Sequence, residues 1–152
     1  MSMKRNLKHH IVTAFKPHGE GLGKLFGSLE SEIMTLLWER GESSARDIFE
    51  ALRDQGQRIS YGAVKTVLDR LVRKQILDRA MHGNQDSYQA RLNREDFTSS
   101  AVKEILGSLI DSFADPVYAQ FLDAIQKSDP EQLERLNQLL NEAEAQRRHS
   151  QD

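Results

Sequence analysis

The sequence predicts a mainly α fold with a small β-wing, a winged helix-turn-helix followed by a helical dimerisation region. Three observations predict it. Residues Ile59 to Leu77 read as a helix with one apolar and one cationic face, a short hairpin pattern follows at once, and two shorter helical patterns precede it. The order of these elements carries more weight than any one of them.

The first 27 residues hold five cations, Lys4, Arg5, Lys8, Lys16 and Lys24, against Glu20 alone. Pro17 and four glycines interrupt any regular element there, and only Ile11, Val12, Phe15, Leu22, Leu25 and Phe26 could anchor the stretch. The segment 1–27 is therefore expected to be a flexible basic arm. It either follows DNA phosphates, as the arms of some DNA-binding domains do, or is a disordered leader.

The winged domain is expected over 28–93. Leu29, Ile33, Leu36 and Leu37 form the stripe of its first helix, with Ser28 as cap and Gly41 as stop. Ala45, Ile48, Phe49 and Leu52 form the second stripe, capped by Ser44 and followed by Gly56. In the third, Val64, Val67, Leu68, Leu71 and Val72 recur at i, i+3, i+4, i+7 and i+8, and Ser60 stands at the N-cap. Its other face carries Lys65, Thr66, Arg70, Arg73 and Lys74, with Asp69 the only acid between Arg58 and Lys74. Taken alone this helix is either an ordinary surface helix or one made for a DNA groove. The hairpin decides for the second. Ile76–His82 and Ser87–Leu92 are its strands, Tyr88, Ala90 and Leu92 alternate, and Gly83 and Asn84 supply the positive-φ positions of the turn.

Residues 94–152 read as helices. Phe97, Ala101, Ile105, Leu109 and Phe113 recur with near-heptad spacing, Pro116 permits a helix start after Asp115, and Phe121, Leu122 and Ile125 follow. Asp129-Pro130-Glu131-Gln132 is a strong helix-start signal, and Leu133, Leu136, Leu139 and Leu140 form the apolar face beyond it. These stripes either fold back on the winged lobe or pair two copies. Pairing is favoured, because one helix-turn-helix reads few base pairs. Ile105, Leu109, Phe113, Phe121, Leu122, Ile125, Leu133, Leu136 and Leu140 are the dimerisation candidates.

With 21 Lys+Arg against 23 Asp+Glu, the chain carries a formal net charge of −2. Its distribution is uneven. Residues 1–27 carry +4, residues 28–94 carry +1 and residues 95–152 carry −7. One end thus suits a polyanion. The chain has no cysteine, so disulfides, thiolate nucleophiles and zinc–thiolate sites are excluded. No apolar run is long enough for a membrane and no signal-peptide core is seen, so a cytoplasmic location is expected.

No catalytic reading survives, and neither a metal nor another cofactor is expected. His18-Gly19-Glu20-Gly21-Leu22-Gly23-Lys24-Leu25 misses the first glycine and the terminal hydroxyl of a phosphate-binding loop and reads as a flexible joint. His9, His10 and His18 lie on an unpatterned arm and read as solvated. Asp115, Asp123 and Glu131 have no nucleophile or histidine at a readable spacing.

Leu29-Glu30-Ser31-Glu32-Ile33-Met34 with Leu37-Trp38, then Gly41-Glu42-Ser43-Ser44 and Asp47-Ile48, then Val64 to Lys74 (VKTVLDRLVRK), resemble the penicillinase-repressor family of BlaI, MecI and CopY type. The resemblance covers about Gly27 to Leu92 closely and the acidic tail loosely. It implies a homodimeric winged-helix repressor that binds palindromic operators and leaves them on an inducing signal. It also implies release by proteolysis or, in a copper-responsive branch, by metal at a cysteine-rich tail, which this chain lacks. The chain departs from the family at Gln75, where glycine is usual, at Asn84, where arginine is common, and at Gly62-Ala63, where a small hydroxyl residue is common.

From the residues themselves, Lys65 and Thr66 are candidates for base edges, with Ser60, Tyr61 and Ala63 at the helix N-terminus. Arg70 either touches a phosphate or pairs with Asp69 or Asp47. Arg46, Arg73, Lys74, Asn84 and Gln85 are candidates for phosphate positioning. The expected partners are a double-stranded DNA operator and a second copy of the chain, with the inducing protease or effector unidentified. The competing readings are a winged-helix module that binds an acidic protein and a regulator that senses a small ligand.

Overall fold

The computed structural model describes residues 11, 12 and 14–150. Lys4, Arg5, Lys8, His9 and His10 of the expected basic arm lie outside them. The chain divides into two compact units, Met1–Ile105 and Leu106–Asp152.

In the first unit, helix α1 (Ser28–Arg40) is followed by a two-residue strand β1 (Ser43–Ser44), α2 (Ala45–Asp54) and α3 (Tyr61–Arg73). Strands β2 (Leu77–His82) and β3 (Gln85–Ala90) then form the wing. The sheet order is β1-β3-β2, antiparallel throughout, with Ser44 opposite Ser87 and Arg79 opposite Tyr88. Strand β1 was not expected. It is too short to leave a periodic signal, and its partner lies far along the chain.

The predicted stripes are the core. Ile33, Leu36 and Leu37 of α1, Ile48 and Leu52 of α2, and Val64, Leu68 and Leu71 of α3 are buried together. Tyr88, fully buried, and Leu77 join the wing to them. Each such side chain contributes about 1.5–3 kcal/mol on leaving water. Local chemistry sets the helix starts. Ser44 accepts a hydrogen bond from Asp47 N while Asp47 accepts one from Ser44 N, a complete capping box. Ser60 accepts from Ala63 N, as expected. Helix α1 differs: Gly27 is its N-cap and Ser28 its first helical residue, with no side-chain cap bond.

Two boundaries move. The hairpin loop is only Gly83-Asn84, and Gly83 alone takes positive φ (66°), as a turn with glycine at its first central position requires. Gln85 and Asp86 accordingly belong to β3, and Leu92 lies beyond it, exposed. The first unit also extends on both sides of 28–93. Phe26 and Phe97 are buried and stacked, with ring centroids 5.1 Å apart, and Trp38 leans on Phe97 while donating Nε1–H to Leu92 O at 2.9 Å. Ile11, Leu22 and Leu25 pack on the same core, and Glu104 accepts from Ile11 N at 3.1 Å. The described part of the expected arm is thus structured. Its glycine run makes a close loop in which Lys16 N donates to Lys24 O, and a Cβ on Gly19 would lie 2.6 Å from Gly23 O.

Helix α4 (Arg94–Gln126) begins in the first unit, where Phe97 and Ala101 are buried. Its helical path breaks at Phe113 (φ −142°, ψ 46°), so Pro116 falls in the first turn of the following segment, where a missing N–H costs nothing. Helix α5 (Pro130–His149) starts as predicted, with Asp129 accepting from Gln132 N. None of the described residues of the second unit is buried. Leu106, Leu109, Phe113, Tyr118, Phe121 and Leu122 are exposed, as are Leu139 and Leu140 on α5.

Candidate nucleic-acid interface

Helix α3 buries one face and leaves the other open, and the wing lies along it. At its N-terminus Ser60, Tyr61, Gly62 and Thr66 are exposed and Ala63 is half-buried. Thr66 donates its hydroxyl to Gly62 O at 2.9 Å, which leaves its oxygen free to accept and its methyl free to touch. Tyr61 stands edge-on to Phe49, with centroids 5.8 Å apart, and the Arg46 guanidinium lies 5.1 Å over its ring. Arg53 lies over Phe49 in turn, so α2 and the start of α3 share a ladder of rings and cations.

The cationic face is less free than the sequence suggests. Of the six cations from Arg58 to Arg79, four lie within 4 Å of a carboxylate. Lys65 is 3.4 Å from Asp86 and 3.8 Å from Asp69, Arg70 is 3.2 Å from Glu30, Lys74 is 3.9 Å from Glu30, and Arg79 is 3.7 Å from Asp69. Among the described residues Arg58 and Arg73 have no such partner. The ion pair offered for Arg70 exists, but with Glu30 of α1 rather than Asp69 or Asp47. A carboxylate that is nearly buried holds a cation more firmly than an exposed one does. Lys65 also donates to the Tyr88 phenol oxygen, and that bond, with the charge of Asp69 and the hydrogen bond to Asp86, holds its ammonium above the usual lysine range.

At the wing, Asn84 and Gln85 are exposed at the tip. Next to the tip the wing is braced by Glu42, which accepts from Ser87 Oγ and lies 2.6 Å from His82 Nε2. The Ser87 bond, then the His82 bond, hold Glu42 below the usual carboxylate range. Arg46, Ser60, Tyr61, Ala63 and Thr66 thus gather around the α2–α3 corner, while Lys65 faces the wing. Arg70, Arg73 and Lys74 lie towards the other end of α3. Sequence reasoning passed over Arg58, whose signal was its place just ahead of the Ser60 cap. It also passed over the counter-charges Glu30 and Asp86, which no spacing could connect to α3.

Among the described residues there is no group of three or more histidine or acidic side chains that could hold a metal, and no helix is long and apolar enough to cross a membrane. A helix-turn-helix with a β-wing and an exposed recognition-helix N-terminus defines the class, a DNA-binding regulator of transcription. The chain belongs to the penicillinase repressor family, whose model matches residues 26–142. No curated protein matches it. Among solved structures, the DNA-binding domain of the repressor BlaI is 21% identical over 47% of this chain and 85% of its own, at a TM-score of 0.42. H. salinarum RosR is 16% identical over 79% and 94%, at 0.40. Bordetella bronchiseptica BpsR is 15% identical over 79% and 76%, at 0.40.

Proposed function

We propose that this protein is a homodimeric repressor that occludes a palindromic operator. The observation that carries the reading is the exposed N-terminal face of α3, from Ser60 to Thr66, flanked by the carboxylate-free cations Arg58 and Arg73. In such a motif the first residues of the recognition helix meet base edges in the major groove. Thr66 accepts from a base amine or packs its methyl on thymine, Tyr61 and Ala63 give apolar contact, and Arg46, Arg58 and Arg73 hold phosphates. Asn84 and Gln85 meet the adjoining backbone as uncharged donors. The apolar side chains left exposed on the second unit, Leu109, Phe113, Phe121, Leu122 and Leu140 among them, support pairing of two copies, with Ile105, Ile125, Leu133 and Leu136 beside them.

Selection of duplexes from a random-sequence pool by the purified protein tests this. The expected product is an inverted repeat whose half-sites are about 34–36 Å apart or a multiple of that, bound by two chains per duplex in sedimentation. Enrichment of a single, unrepeated half-site by a monomer overturns the dimeric operator reading. No enrichment at all, with weak salt dependence, favours a protein-binding module instead.

A further inference from the structure

We propose that Lys65 is a positioning residue that latches the wing to the recognition helix, so that helix and wing meet DNA as one body. This rests on the DNA-binding reading above and assigns Lys65 a task other than base contact.

The wing needs such a latch. From Asp78 to Gln85 the ribbon is exposed, β1 backs it only at Ser87 and Tyr88, and Glu42 braces it at Ser87 and His82. A two-stranded ribbon has little stability of its own in water. Tyr88 anchors its base, and Lys65 engages that anchor from α3. The ammonium donates to the Tyr88 oxygen, sits 5.1 Å from the Tyr88 ring centroid, and lies 3.4 Å from Asp86 Oδ2 and 3.8 Å from Asp69 Oδ1. These partners match the three donors of an ammonium. Tyr88 O–H points on to Asp69 at 3.4 Å, and Arg79 of β2 reaches the same Asp69 oxygen at 3.7 Å. One helix and both wing strands are therefore cross-linked through a half-buried set of charges.

The alternative, in which Lys65 swings out to DNA, works against its own electrostatics. It would leave Asp86 uncompensated, and Asp69 with Arg79 alone, on a face turned to a polyanion. Lys65 held in place neutralises them where they stand.

The test uses Lys65→Met, Asp86→Asn, the double variant and Lys65→Arg in the full chain. The probes are a duplex selected by the wild type and the unselected pool. A latch predicts that Lys65→Met and Asp86→Asn each lower the ratio of selected to unselected affinity about tenfold, that the double variant does no worse than Lys65→Met, and that Lys65→Arg largely restores it. Lys65→Met should leave the salt slope unchanged, because no phosphate contact is lost. A ratio preserved or raised in Asp86→Asn, or a slope flattened by about one unit in Lys65→Met, overturns the latch in favour of a direct contact. Amide exchange of the free protein gives a second decision that needs no DNA. Both single variants should speed exchange across residues 79–88 and leave α1 unchanged, and an unaltered wing overturns the proposal. Were the wild type to enrich no duplex, the DNA reading would fail while the exchange result still decided the latch.

Discussion

Gln75 ends the recognition helix with a φ of 60°. Its N–H donates to Val72 O and that of Ile76 to Leu71 O, the same double closure that Gly56 and Gln57 make on Arg53 O and Leu52 O after α2. One site uses glycine and the other a residue with a Cβ, which costs about 1–2 kcal/mol in left-handed backbone. The chain departs from the family pattern where the pattern has its physical reason. Gln75→Gly should therefore raise stability by a few tenths to about 1 kcal/mol, since glycine returns part of the gain as unfolded-state entropy. Urea denaturation measures it. A loss instead would mean that the bond from Arg91 Nη1 to Gln75 Oε1, at 3.0 Å, outweighs the strain. The cations of α3 allow a second prediction. Arg73→Ala should flatten the salt slope of DNA binding by about one unit with little change in melting temperature. Arg70→Ala and Lys74→Ala should leave the slope nearly unchanged, because Glu30 already holds both. Equal slopes for all three variants would refute that division. The sequence displayed these cations but not their occupancy, since Glu30 lies 40 residues from Arg70 and Asp86 lies 21 from Lys65.

At the scale of elements, Ser44 belongs to two at once. Its backbone pairs with Ser87 in the sheet, and its side chain caps α2. Ser44→Ala should cost about 1 kcal/mol, as lost N-caps do. Asp47, the other half of the box, is held below its ordinary value of 3.8 by the Ser44 hydroxyl and then by Ser44 N–H. A carboxylate depressed in the fold contributes stability above its unfolded value and loses it as pH falls through the folded one. The acid limb of the wild-type stability curve should therefore carry an Asp47 component below about pH 4 that is smaller in Ser44→Ala, as denaturation at several pH values would show. Identical acid limbs would remove the capping box from the account. Ser44, Ser60 and Asp129 were legible as caps because a cap bond joins residues only three apart. Strand β1 was not, because its identity lies in a partner 45 positions away from its first residue.

At the scale of the molecule, the first unit's core recruits residues from both sides of the winged domain. A chain ending at Arg94 would strip Phe97 from Phe26 and Trp38, and Phe→Ala changes in cores cost about 3–5 kcal/mol. A chain ending at Ile105 should keep a cooperative melt close to that of the full protein, while one ending at Arg94 should melt far lower. Calorimetry of the two decides, and equal melting would show Phe97 to be dispensable. Leu109→Asp or Phe121→Asp in the full chain should shift sedimentation from dimer to monomer while leaving the winged unit folded, because each places a charge in the proposed pairing surface. Periodicity displayed these apolar faces, but it could not show that Phe26 and Phe97, on opposite flanks of the winged domain, lie against each other. That stacking has a topological consequence. Chain entry and chain exit of the DNA-binding lobe meet at one doorway, so the lobe is a closed loop of polypeptide fastened by the Phe26–Phe97 stack and by the bond from Ile11 N to Glu104. Such a loop tolerates new ends elsewhere, and the exposed Gly83-Asn84 tip is where a permuted chain could be opened without unthreading the core.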